Sequence, residues 1–219
     1  MFEISRRGVL GMLFGAGTVL LKPARAFAQA CRDAVIADEG PFYPVAPFPE
    51  TSDLLGAQPP PGQVLHLVGR VVDRSCAPIP GAVVEIWQCD AGGQYDHPRA
   101  PKTKALEKNF RYFAMARAAA DGGFRFRTLR PAPYKVFGLQ RAPHIHVRVK
   151  AAQGTLTTEI YFSGKQDDAL RTTDSVFQGR GPRKGEMVVE LKPASAVRAR
   201  LAAAPEPGAL ACEYDLMVG

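Results

Sequence analysis

The 219-residue chain has no C-x-x-C pair, so the knuckle spacing of a zinc ribbon is missing. It has no apolar run long enough for a stable membrane span; the stretch at residues 9–21 is short and diluted by Gly and Ala. Internal repeats and low-complexity segments are absent. Positive charge is in excess, with 28 Lys and Arg against 21 Asp and Glu for a net charge of +7. No basic cluster with interleaved aromatics accompanies it, which argues against nucleic-acid binding and leaves a solvated basic surface. Histidine is scarce: there are four, and two share one tripeptide.

What is present begins with a leader. Ser5-Arg6-Arg7-Gly8-Val9-Leu10 is a twin-arginine pattern, followed by the short apolar run and by two A-x-A cleavage sites, Ala26-Phe27-Ala28 and Ala28-Gln29-Ala30. The expectation is a signal peptide over 1–30, export of an already folded chain to the periplasm or medium, and no membrane span once the leader is removed. The competing reading is an uncleaved N-terminal anchor. In such a compartment Cys31, Cys76, Cys89 and Cys212 allow three disulfide connectivities. Cys76 lies in a turn and Cys89 at the far end of the next strand, so those two are expected to be too far apart to bond each other.

Gly 21 and Pro 19 are both high, which favours turns and short strands over long helices. Residues 31–62 are Pro-rich and read as an extended, irregular arm over its own domain or over a partner subunit, so a homo-oligomer is among the expectations. From residue 63 to 219 the patterning predicts one domain. Strands are expected at 64–72, 82–88, 124–128, 134–137, 144–150, 156–162 and 187–191, with a last one over 213–218. Residues 103–120 read as weakly helical, 163–182 as polar loop and 194–204 as helix-like. The class is all-β: an antiparallel β-sandwich with an irregular N-terminal arm and long loops.

The sharpest local feature is His144-Ile145-His146. Residues i and i+2 of a strand share a face, so both imidazoles can converge on one metal ion. Alone, the pair is as readily two ordinary strand histidines. Arg141-Ala142-Pro143 just before it supplies a fixed strand entry and a guanidinium fork suited to anions. Tyr95 follows Gly92-Gly93, and Tyr134 follows Pro131-Ala132-Pro133; either alone reads as an ordinary aromatic.

Taken in order, Trp87-Gln88-Cys89-Asp90-Ala91-x-Gly93-x-Tyr95, Arg130-Pro131-x-x-Tyr134, Arg141-x-x-His144-Ile145-His146 and Leu156-Thr157-Thr158-x-Ile160-Tyr161-Phe162 resemble the intradiol ring-cleavage dioxygenases. That family includes the protocatechuate 3,4-dioxygenases and catechol 1,2-dioxygenases. Glu39-Gly40-Pro41-Phe42-Tyr43 is similar to the start of its catalytic domain, and the resemblance covers residues 38 to about 165. It implies one Fe(III) per chain, held by Tyr95, Tyr134, His144 and His146. A hard, highly charged ion selects anionic oxygen and can deprotonate a phenol. It implies O2-dependent cleavage of a small aromatic diol between its hydroxylated carbons, giving a cis,cis-muconate-type diacid. Tyr134 would leave the metal and act as a base, Arg141 would stabilise developing negative charge, and Pro41 and Tyr43 would lie beside the substrate.

Two departures stand out. Glu159 occupies the position where the family carries glutamine, beside the site; its carboxylate would pair with Arg141 and disfavour an anionic ring. The stretch from Tyr134 to His144 is short, which trims the loop over the pocket. Two rival readings remain: a transthyretin-like β-sandwich binding module, for which G-x-V-x-D and P-x-x-G-A-x-V also speak, and an iron-binding relative without turnover. A mere binding module has no need of two tyrosines and two histidines together.

Overall fold

The computed structural model describes residues 32–219; the leader pattern and Cys31 lie outside the described residues. Two five-stranded sheets pack face to face. In the first, β1 (Val64–Val72) is central. It pairs antiparallel with β4 (Gly123–Leu129) on one side and parallel with β11 (Leu210–Glu213) and β12 (Leu216–Met217) on the other. β10 (Lys192–Pro193) closes that edge. The second runs β3 (Phe113–Arg117), β2 (Val83–Trp87), β7 (His144–Ala151), β8 (Gly154–Phe162), β9 (Val188–Val189). β5 (Tyr134–Val136) and β6 (Leu139–Arg141) form a separate hairpin. The class is therefore all-β as expected. The sheets are mixed, however, because β11 and β12 run parallel to β1 and β9 parallel to β8.

The period-2 pattern explains the layers. Leu65, Leu67 and Val71 of β1 meet Val84, Ile86, Ile145, Val147 and Ile160 of the second sheet in one core. The outer face of β1 is also covered: Val68 packs under Ala194, Val197, Ala209 and Ala211 of the C-terminal segment. β1 therefore carries an almost continuous buried run.

Four expectations differ from the structure. Residues 103–120 contain β3 rather than a helix, because Val83–Trp87 offers a full ladder to Phe113–Arg117. The polar stretch 163–182 holds two helices, α1 (Lys165–Thr173) and α2 (Ser175–Gln178). The helix-like tail is a 3-10 segment, Ala194–Arg200, and the last strand is split into β11 and β12. Cys89 and Cys212 are buried free thiols, so neither bonds Cys76.

The arm laces both sheets. Ala37 N donates to Thr157 O at 2.8 Å, Thr51 N to Met115 O at 2.9 Å and Leu54 N to Arg127 O at 2.9 Å. Among the described residues no helix is long and apolar enough to cross a membrane.

A candidate metal centre on the outer face of the second sheet

Register places the candidate residues. Trp87 lies opposite His146 and His146 opposite Glu159, while His144 lies opposite Tyr161. These five side chains therefore share one face, and the alternate residues Ile86, Ile145 and Ile160 enter the core behind it. Over this face lie the arm, the β5–β6 hairpin and α2: Phe42 and Val136 pack with Trp87 and Tyr95, and Phe177 packs on Tyr161.

Each tyrosine is delivered by its own device. The Asp90 carboxylate accepts from Gly92 N at 2.8 Å, Gln94 N at 3.0 Å and the Tyr112 hydroxyl at 2.9 Å, which fixes the loop that ends at Tyr95. Gly93 has φ 83, and a Cβ there would come within 3.0 Å of Pro133 O, so only glycine lets the two tyrosine segments approach. Tyr134 opens the hairpin opposite Arg141. The Tyr95 and Tyr134 rings meet edge-on at 5.3 Å.

The imidazoles are held with matching precision. His144 Nδ1 lies 2.7 Å from Ala142 O, which can only accept, so Nδ1 carries the proton and Nε2 a lone pair. His146 is stacked on Trp87 at 4.9 Å and 6°. Gly40, at φ 70, also lies close to the ring: a Cβ there would lie 3.3 Å from His146 Cε1. His144 Nε2 and His146 Nε2 face each other at 3.2 Å, and Tyr134 Oη lies 3.5 Å from His144 Nε2. Tyr95 Oη is buried with no partner. The His144 Nε2 lone pair, the His146 Nε2 facing it and the buried Tyr95 hydroxyl make a donor set that a cation among them would satisfy. The residues present fit a hard metal ion with two phenolate and two imidazole donors.

Electrostatics agree. Burial holds His144 well below the ordinary imidazole range, with Arg141 and His146 adding to it. Burial also takes His146 to about 4, against the pull of Glu159. Burial raises both phenols; Tyr134 adds to the rise at Tyr95, whereas Arg141 draws Tyr134 back down. The neutral imidazoles are ready to coordinate, and the phenols would release protons when a cation enters.

Arg141 is 4% exposed. Burial disfavours its charge, but the carboxylates Glu159 and Asp174 beside it outweigh that and keep it cationic. Its Nε donates to Asp174, and its Nη2 donates to Glu159 at 3.1 Å and Tyr161 Oη at 2.9 Å. Glu159 does pair with Arg141 as the sequence suggests, but it also receives Arg180 Nε at 3.0 Å. Asp174 and Arg180 escape sequence reading because they lie in the polar stretch after β8, with no motif around them. His144, His146 and Glu159 place one ligand atom each within 4.8 Å of one another. The two guanidiniums on Glu159 make it a poor cation ligand and a better partner for the His146 ring. Pro41 is half-buried, next to Gly40 over the His146 ring. Tyr43 stacks edge-on against Trp87 at 5.0 Å and donates its hydroxyl to Glu85 at 2.9 Å.

Comparison with known proteins supplies the kinship. A dioxygenase family model (Dioxygenase_C) matches residues 38–216. The protocatechuate 3,4-dioxygenase beta chain of Burkholderia cepacia is 29% identical over 165 residues, covering 73% of this chain and 66% of that protein. The intradiol ring-cleavage dioxygenase prcA of Aspergillus niger is 34% identical over 172 residues, covering 70% and 51%. The chain thus spans about half to two thirds of the length of these curated relatives. Catechol 1,2-dioxygenase of Acinetobacter sp. ADP1 superposes with a TM-score of 0.64 at 25% identity, over 85% of this chain and 63% of that one. An intradiol ring-cleavage dioxygenase of Tetranychus urticae gives 0.62 at 23% identity, over 86% and 95%, a likeness of fold. With the family model spanning both sheets and every residue of the buried cluster, the chain belongs to the intradiol ring-cleavage dioxygenases.

Proposed function

We propose that the protein binds one Fe(III) per chain and uses O2 to cleave a catechol-type diol between its two hydroxylated carbons, giving a cis,cis-muconate-type diacid. The observation that carries this reading is the meeting of His144 Nε2 with His146 Nε2 at 3.2 Å and with Tyr134 Oη at 3.5 Å, beside the buried Tyr95 ring that lies edge-on to Tyr134 at 5.3 Å. Those four residues would hold the ion. When bound, the ferric ion would engage the diol oxygens and draw electron density from the ring, so that the ring reacts with O2.

The chain's own residues supply the rest. Tyr95 is deeply buried and would stay in place. Tyr134 is half-buried on a hairpin outside both sheets, so it is the residue suited to swing away and take a proton from the incoming diol. Arg141 lowers the cost of charge on the Tyr134 oxygen and supplies a fixed positive charge beside the reacting ring. Trp87 covers the His146 ring and Phe42 the Tyr95 ring, so these two aromatics would shield the donors from water.

Curated relatives named for protocatechuate, hydroxyquinol and catechol define the substrates to try. The test is O2 uptake by iron-loaded protein with each diol, with the product identified. A ring-opened diacid formed with one O2 per turnover supports the reading. Tight iron and diol binding without O2 uptake would favour a relative that has lost turnover. We propose in addition that Arg6-Arg7 directs twin-arginine export. Lys at both positions should leave the precursor in the cytoplasm; unchanged export would refute that route.

A further inference from the structure

Glu159 is 1% exposed and sits behind His146, on the far side of the ring from the point where the four donor atoms meet. Its Oε1 lies 3.7 Å from His146 Nδ1, and that nitrogen has no hydrogen-bond partner of its own. Oε1 also accepts from Arg141 Nη2 at 3.1 Å. Oε2 accepts from the Tyr161 hydroxyl at 3.0 Å and from Arg180 Nε at 3.0 Å. Arg180 in turn donates to Asp38 of the arm at 2.6 Å. Both carboxylate oxygens therefore already accept hydrogen bonds.

We propose that Glu159 is a positioning residue for the metal centre: its negative charge, 3.7 Å from His146 Nδ1 and just beyond hydrogen-bond reach, favours the tautomer with the proton on Nδ1 and raises the donor strength of Nε2. Arg180 is the counter-charge that makes a buried carboxylate tolerable there. This rests on the ferric reading above. The physical basis is general: a carboxylate on the distal nitrogen of a metal-bound imidazole fixes the tautomer and makes the ring a stronger ligand. A neutral side chain at 159 would fix the tautomer without the charge. Glu159 also explains why Arg180 is half-buried with two carboxylates on it, one from β8 and one from the arm.

The roles of fold support and metal tuning separate in a variant set. Glu159→Gln, Arg180→Met and the double variant are compared with the parent as full-length, iron-loaded proteins. Three quantities are read: the visible phenolate-to-iron band, iron retention against a chelator, and the urea midpoint. Glu159→Gln should shift the band to longer wavelength, because a weaker donor leaves the ion more electron-poor. It should also weaken iron affinity by about 10- to 100-fold. It should lower the urea midpoint, since Arg180 loses its buried partner. The double variant should regain the midpoint and leave band and affinity as in Glu159→Gln. An unmoved band and affinity in Glu159→Gln, or their recovery with the midpoint in the double variant, would overturn the proposal and make Glu159 a structural ion-pair partner. A parent that holds stoichiometric iron without any visible band would instead refute the tyrosinate reading on which the proposal stands.

Discussion

Asp174→Ala should be among the most damaging single changes outside the donor set. Asp174 is fully buried. Its Oδ1 accepts from Val176 N at 3.1 Å and Phe177 N at 3.0 Å, capping α2. Its Oδ2 accepts from Ala142 N at 2.9 Å, and Arg141 Nε lies 3.2 Å from both oxygens. Loss of an N-cap costs about 1 kcal/mol. Leaving the buried Ala142 N–H without an acceptor costs about 1 to 3 kcal/mol. Removing one partner of a buried ion pair costs about 3 to 5 kcal/mol. The three overlap, because Arg141 keeps Glu159 and Tyr161, so the whole should come to about 4 kcal/mol rather than their sum. That is a large part of the stability of an ordinary domain. Asp174→Asn keeps an acceptor for the cap and should lose about half as much. The consequence reaches the metal centre, since Ala142 O is what fixes the His144 tautomer. Urea unfolding of parent and variants, with iron retention alongside, reads both effects. A loss under about 1 kcal/mol for Asp174→Ala would refute the view that Asp174 ties α2 to the strand of the histidines.

Three further outcomes are expected. Phe137, 67% exposed with φ 50 at the tip of the β5–β6 hairpin, holds a left-handed backbone while its ring meets Phe42 at 6.4 Å, so Phe137→Asn should stabilise by about 1 kcal/mol in urea unfolding; a destabilised variant would mean that the Phe42 contact outweighs the backbone strain. In iron-free protein His146 has its value lowered from 6.5 to about 4, so the unfolded chain binds the proton first and stability is lost as pH falls from about 6.5 to about 4. The loss is up to about 3 kcal/mol, and a urea midpoint that stays flat across that window would contradict the buried, neutral imidazole. Tyr134→Phe should keep much of the iron yet lose about 10²-fold in kcat by deprotonating the diol slowly, whereas Tyr95→Phe should act through lower iron content and a shifted band; stopped-flow spectra of anaerobic diol binding that show the reverse would exchange the two roles.

How much of this was legible in the sequence depends on the period and range of each signal. The H-x-H pair was readable because a strand repeats every two residues, and its Ile145 proves to be the core-facing partner. β1, β2, β7 and β8 were readable from β-branched and apolar runs. β3 was not: Phe113–Arg117 reads FAMAR, whose Ala and Met favour helix, and the choice was made by the ladder to β2 and by Met115 bonding to Pro49 of the arm. α1 was missed because its sequence KQDDALRTT has no apolar stripe; it is held by ends and charges, as in Arg130 with Asp167. Glu159 stood out only by contrast with the glutamine the resemblance leads one to expect. Its partner Arg180 and the Asp38 that Arg180 also holds come from segments 21 and 121 residues away, contacts that no local pattern encodes. The parallel pairing of β11 and β12 with β1 is likewise a product of tertiary closure, since each of those strands is too short to announce a partner.

The central claim is the reaction itself, and isotopic labelling of the oxygen tests it most directly. Iron-loaded protein is supplied with a catechol under heavy-oxygen O2 in ordinary water, and the product is analysed by mass spectrometry. A cis,cis-muconate-type diacid with one heavy oxygen in each new carboxyl group is the expected result. A product without label, a semialdehyde from cleavage outside the diol, or intact catechol beside a fully formed iron–tyrosinate centre would contradict it.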